Sequence, residues 1–306
     1  MTVLFEEFMR NADEPGTRHT SAVVRGSAAF ALVLVLSGSA IAQTVVTPPA
    51  NKYNPQDDVK VGREAAAAVE REEPILHDDA VTSYVASIGE RLVAALPPDL
   101  QHPEFRYAFK VVDVADINAF ALPGGPMYVN RGMLGVAHTE GEIAGVMAHE
   151  LSHVALRHGT AQATAATKYE VGELAGSIIG AIIGGRVGNV VARGSQLGIG
   201  ISFLRFSREY EKQADLLGTQ IMARAGYDPT EMANVFRTIE EQSGSGGVEF
   251  LSDHPNPGNR VEYITAEAQS LRVEHPVDAG PEFARMQAHL RTLPPPRAHP
   301  KEQSGR

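Results

Sequence analysis

The chain has 306 residues, 43% hydrophobic and 21% charged, with enough apolar mass for one sizeable domain or two small ones. A net charge of −10 with no long basic run makes nucleic acid a poor partner. The absence of cysteine excludes disulfides, iron–sulfur clusters, thiolate zinc sites, a cysteine nucleophile and a lipid-bearing cysteine at the N-terminus.

In chain order, residues 1–42 read as a targeting segment. Arg18, His19 and Arg25 precede an apolar core, and Ala40-Ile41-Ala42 follow it like a small-residue cleavage site before Gln43. The alternative is an uncleaved N-terminal anchor, for which the apolar run is short. Either form takes the bulk of the chain out of the cytoplasm. Residues 43–56 carry Pro48, Pro49 and Pro55 and are expected to be a linker.

Asp57 and Asp58 open a helix expected to run through about Glu72. Asp78 and Asp79 open a second, with Val81, Val85, Ile88 and Leu92 at helical spacing and a stop at Pro97-Pro98. "FRYAFKV", 105–111, alternates apolar and polar residues as a half-buried strand does. Ile117–Leu122 and Met127–Asn130 are the next two, separated by Pro123-Gly124-Gly125-Pro126. Ile117–Leu122 is expected at the sheet edge, lining a cleft where an extended peptide adds by main-chain hydrogen bonds.

"GEIAGVMAHELSHVALRHG", 141–159, is a marked helix. Thr139 and Glu142 form a capping box, and Gly159 is the expected stop. Within it His149 and His153 lie one turn apart on one face, so both imidazoles reach one ion, and Glu150 lies about 100° round, beside that ion. This is the arrangement zinc-dependent peptide hydrolysis requires. The ion activates water and polarises the carbonyl, and the glutamate moves the proton. Leu156 and Gly159 stand where a metzincin needs Gly and His, which excludes that class. His158 is off phase with the pair and is read as a histidine that packs or supports a ligand.

A carboxylate from a later helix remains as the candidate third ligand, with a solvated helix face the alternative for those carboxylates. "SREYEKQADLLG", 207–218, offers Glu211 to coordinate and Asp215, four residues on, to orient a ligating histidine. That helix is expected to end at Ala225-Gly226. Asp228-Pro229-Thr230-Glu231 starts another, Ser243–Gly247 is a loop, and a last helix covers Asn259–Leu271. Residues 276–306 are expected to be a polar, Pro-rich tail with nothing to bury.

The order of these motifs resembles metallopeptidase family 48, which includes CAAX prenyl endopeptidases, mitochondrial Oma-type proteases and bacterial BepA-like and LoiP-like proteases. The likeness runs from about Val59 to Leu271. It rests on His149–His153, on Glu211–Asp215, on "INAFALPGGPMYVNRGML" (117–134) and on "FLSDHPNPGNRVEYI" (250–264).

The resemblance implies an α+β, mostly helical zincin-type domain over 57–275, with a small β-sheet beside the motif helix. It implies a gluzincin site with one Zn2+ per chain on His149, His153 and Glu211, Glu150 as base, and Asp215 and Arg260 in support. It also suggests a role for His254, either approaching the metal to hold the site latent or steadying the oxyanion. The implied activity is periplasmic, on unfolded or misassembled envelope polypeptides. The rival reading is a chaperone-like envelope assembly factor whose metal site is mostly shut.

Within 171–200, Gly172, Gly176, Gly180, Gly184 and Gly188 recur every fourth position. A helical hairpin acting as a lid over the ion is expected there. A flap touching the membrane surface and a loop are the alternatives.

Overall fold

The computed structural model describes residues 43–166, 206–242, 249–256, 258–278 and 280–297. The expected leader at 1–42, the Gly-rich segment 171–200, the loop Ser243–Gly247 and residues 298–306 lie outside them.

The first helix, α1 (Pro55–Glu72), starts where Asn54 caps it: its side chain accepts from the Asp57 N–H and the Asp57 carboxylate returns the bond. Asp78 caps α2 (Asp79–Ala94) by accepting from the Val81 N–H, with no bond returned by Val81. Three short strands follow: β1 (Ala108–Val112), β2 (Ala119–Ala121) and β3 (Pro126–Asn130). Their order is β1-β3-β2, with β1 parallel and β2 antiparallel to β3. The expected edge position of 117–122 is therefore observed. The first strand begins later than Phe105, because the Arg106 N–H bonds the Gly124 carbonyl in the β2–β3 turn instead of a strand neighbour. Gly124 and Gly125 make that turn at positive φ, 77° and 125°.

Side chains leave the sheet on alternate faces. Val111, Ala119, Met127 and Val129 enter the main core, while Val112, Phe120 and Tyr128 join Ala65 and Val69 of α1 in a smaller core on the other face. After α3 (Arg131–Val136) comes α4 (Glu140–Ala155), the central helix. Thr139 caps it through the Glu142 N–H, and Glu142 reaches back to the His138 N–H. It packs against α2, β2, α6 (Arg208–Arg224) and α7 (Glu231–Gln242). Among the described residues the remaining α-helices are α5 (His158–Ala166), α8 (Glu249–Asp253), α9 (Arg260–Ser270) and α10 (Gly280–Leu290). No described helix is long and apolar enough to cross a membrane.

Three expectations are corrected. Helix α4 ends at Ala155, not at Gly159, which lies inside α5. The turn between them is made by Arg157 at φ 57°. A left-handed non-glycine residue costs about 1–2 kcal/mol. The cost is offset by a buried anchor: Arg157 Nε bonds Asp58 at 2.7 Å and Nη2 bonds the Tyr53 carbonyl at 2.8 Å.

Secondly, residues 43–54 are not a free linker. Thr44 bonds Glu267 through N at 3.1 Å and Oγ1 at 2.5 Å, and Asn51 and Lys52 bond Thr160 and Thr164 of α5. Thirdly, the stretch expected as a tail with nothing to bury contains α10, whose Met286 and Leu290 are buried against the main core. Buried Arg131 holds it by donating to the Leu290 and Pro294 carbonyls and to Asp113. The fold therefore extends beyond 57–275 at both ends.

Candidate metal centre

Helices α4 and α6 lie close because Gly218 has no side chain: a Cβ there would stand 3.1 Å from the Ala148 carbonyl and 2.6 Å from Met232 Cε. That approach brings Glu211 and Asp215 of α6 onto the face of α4 that carries His149 and His153. All four are buried, as are Glu150, His254 and Arg260.

His149 Nε2 lies 3.1 Å from His153 Nε2 and 3.5 Å from Glu211 Oε2, and His153 Nε2 lies 3.6 Å from Glu211 Oε1. His254, in the turn after α8, adds Nδ1 at 3.2 Å from both His149 Nε2 and Glu211 Oε1. Atoms bonded at about 2.0–2.2 Å to one tetrahedral ion stand roughly 3.4 Å apart. One ligand atom from each of the four residues lies within 4.8 Å of the others, the contacts above being near that spacing, and they are nitrogen and carboxylate donors, so the residues fit a divalent metal.

What stands behind the ligands is also built. Asp215 Oδ1 faces His149 Nδ1 at 2.9 Å. Arg260 donates to Asp215 at 2.9 Å and to Glu211 at 2.7 Å, and Tyr263 donates to Asp215. Phe250 stacks on His254 at 4.6 Å between centroids and Phe206 on His153 at 4.2 Å.

Burial alone pulls the His149 imidazole down, but its hydrogen bonds to Asp215 and Glu211 outweigh that and raise it to about 9. Burial pulls His254 down too, and the charges of Glu211 and Glu150 carry it above its ordinary value. His153 is held well below the histidine range by burial and by the charge on His149. Burial pushes the Glu150 carboxyl up, against the pull of His254 and His149. For Glu211 burial acts upward, but His254 and His149 hold it well below the carboxylate range.

Glu150 points beside the cluster. Its Oε2 accepts the Ala121 N–H of β2 at 3.1 Å. Among the described residues its Oε1 has no hydrogen-bond partner, although His254 Nε2 stands 3.2 Å away, off the line of a bond. A small, partly open cavity of about 30 Å³ is lined by Glu150, His153 and His254, by Phe120, Leu122, Pro123, Val154 and Phe206, and by the Arg157–Asp58 pair.

Every site residue expected from the sequence is thus brought together: His149, Glu150, His153, Glu211, Asp215, His254 and Arg260. A model of peptidase family M48 matches residues 79–268, more than half of the chain, and the match includes all of them. The chain belongs to peptidase family M48. Among relatives, the beta-barrel assembly-enhancing protease of Yersinia pestis is 29% identical over 221 residues, 70% of this chain and 44% of that protein. That of Escherichia coli is 28% identical over 205 residues, 65% of this chain and 41% of that protein. The mitochondrial metalloendopeptidase OMA1 of Saccharomyces cerevisiae is 34% identical over 159 residues, 49% of this chain and 43% of that protein. The chain spans less than half the length of these three relatives.

Some contacts of this M48 site were not read from the sequence. Tyr263 was missed although it lies one turn from Arg260 on α9, which was a usable signal. The Ala121 N–H on Glu150 and the stacked Phe206 and Phe250 left no such signal, since only the tertiary fold places them.

Proposed function

We propose that this chain is a zinc-dependent endopeptidase. The observation that carries the reading is the set of ligand atoms from two distant helices, 3.1–3.6 Å apart, with a carboxylate oxygen beside them that has no hydrogen bond among the described residues. His149, His153 and Glu211 would hold the ion. A bound zinc ion supplies a water of lowered pKa and a Lewis acid for the peptide carbonyl.

The chain's own groups do the rest. Glu150 Oε1 takes a proton from the water and returns it to the leaving amine, and burial, which raises this carboxyl, suits it to the exchange. The Ala121 N–H keeps Oε2 in place. The Asn118 carbonyl and the Leu122 N–H point to β3, so alternation turns the main-chain groups of Ala119 and Ala121 to the outer edge; their N–H groups are taken by Asn118 Oδ1 and Glu150 Oε2, and their carbonyls are the groups that would accept from an extended peptide. The mostly apolar cavity takes an apolar side chain next to the scissile bond.

We propose further that the substrates are misfolded or unassembled envelope proteins in the periplasm. Support comes from the leader-like residues 1–42, from recognition of an extended main chain, and from the names of the bacterial relatives.

The test is Glu150→Gln. Cleavage of casein should fall by about 10²–10⁴-fold while the protein keeps one zinc per chain. Cleavage at the parent rate would contradict the reading. One observation favours a second reading, a chaperone-like assembly factor: His254 Nδ1 stands 3.2 Å from both Glu211 Oε1 and His149 Nε2, where it would compete with water for a bound ion. If Glu150→Gln fully complements a strain lacking the protein, that reading prevails.

A further inference from the structure

His153 has two ring nitrogens, and only Nε2 faces the ligand cluster. Nδ1 faces His158 Nδ1 at 2.9 Å. On a continuous helix His158 would point elsewhere. The left-handed turn at Arg157 swings it back, and it is fully buried, stacked on Tyr210 at 4.4 Å and 6°. Its other nitrogen, Nε2, lies 3.0 Å from Gln213 Oε1, and Gln213 Nε2 lies 3.4 Å from the Thr47 carbonyl oxygen.

The polarity of this chain of contacts is fixed from its far end. A carbonyl oxygen only accepts, so Gln213 must turn its NH2 towards Thr47. Its Oε1 then accepts the His158 Nε2–H. His158 Nδ1 is left with a lone pair and accepts the His153 Nδ1–H. His153 Nε2 consequently presents a lone pair to the cluster, the form a metal ligand needs. Reversing any link would leave two donors or two lone pairs face to face.

Thr47 is held from both sides. Thr44 bonds Glu267, and Gln220 donates to the Thr44 carbonyl at 2.7 Å. Asn51 bonds Thr160 at 2.7 Å and the Lys52 N–H bonds Thr164 at 3.1 Å. Residues 43–54 therefore form a strap across α5, α6 and α9 whose backbone ends the relay.

We propose that His158 and Gln213 are positioning residues for the metal, and that the strap 43–54 sets the tautomer of His153 through them. The inference rests on the reading that His149, His153 and Glu211 hold an ion. It makes the strap and the ion thermodynamically coupled: tightening one tightens the other.

The test is zinc affinity, measured by chelator competition, in the full chain and in His158→Leu, His158→Gln and Gln213→Met. His158→Leu removes the acceptor and should weaken zinc by about 10–100-fold. His158→Gln, whose side-chain oxygen accepts the same proton, should recover most of that loss. Gln213→Met, at a half-buried position, should weaken zinc in the same direction and decides the matter if His158→Leu does not fold. Hydrogen exchange gives the independent readout. Zinc should slow exchange of the Thr44 and Lys52 amides in the parent and not in Gln213→Met.

Parent-like zinc affinity in folded His158→Leu and Gln213→Met would overturn the proposal. So would strap amides indifferent to zinc. A parent chain that binds no zinc would instead overturn the metal reading beneath it.

Discussion

His149 and His153 sit one turn apart on the same helix, yet what stands behind them differs in kind. His149 is backed by a carboxylate, Asp215, itself gripped by Arg260 and Tyr263. His153 is backed by a neutral imidazole, an amide and a backbone carbonyl. The charged side holds a proton on His149 up to about 9 and requires a buried arginine to balance two buried carboxylates. The neutral side needs no balancing charge. It fixes a tautomer by donor and acceptor order alone. Breaking the first should therefore leave an uncompensated charge, and breaking the second only an unpaired polar group.

The largest effect expected from that difference is Arg260→Leu. It strands Glu211 and Asp215 in the interior and should cost about 3–5 kcal/mol in urea denaturation. A cost under about 1 kcal/mol would mean the two carboxylates find another partner. On the neutral side, His158→Leu should cost about 1–3 kcal/mol, the penalty of leaving donors and acceptors unmade. Equal costs for the two variants would erase the distinction.

Asp215→Asn keeps the shape behind His149 and removes the charge. Its zinc affinity should drop about 10–100-fold. It should also weaken a pH dependence expected of the parent, leaving the part that Glu211 supplies. In protein stripped of metal, His149 holds its proton to about 9, above the ordinary 6.5. Its ion pairs then stabilise the fold fully below pH 6.5, and that contribution is lost as pH rises through about 9. Zinc needs the proton gone, so its affinity should rise over the same window. Thermal denaturation of EDTA-treated protein and zinc titration between pH 6.5 and 9 measure the two slopes. Unchanged slopes in Asp215→Asn would place the proton elsewhere.

A smaller effect is expected at the cavity. Leu122→Ser should shift cleavage of a peptide library away from apolar residues beside the scissile bond, with kcat/KM for those peptides falling about tenfold, the low end of the scale for one lost methylene contact. An unchanged preference would remove the cavity from the substrate path.

Legibility in the sequence followed the range of the interaction. The spacing of His149 and His153, the Thr139 cap and the pairing of Glu211 with Asp215 are local, and helical geometry alone exposes them. The role of Arg260 was carried by likeness to a family, because its partners lie 45 and 49 residues away. The end of α4 was misplaced because glycine was the expected stop, whereas a distant carboxylate on Asp58 holds Arg157 in the left-handed region. The strap escaped notice because an extended Thr/Pro segment has no periodicity, and its partners are 100 residues or more away. Helix α10 was hidden by the prolines after it, although Phe283, Met286 and Leu290 stand at helical spacing.

Anomalous diffraction from a zinc-soaked crystal would bear most directly on the metal centre. The structure predicts a single strong peak in the α4–α6 crevice, about 2.0–2.2 Å from His149 Nε2, His153 Nε2 and a Glu211 oxygen. No peak there, or a peak that Glu211 does not touch, would contradict it.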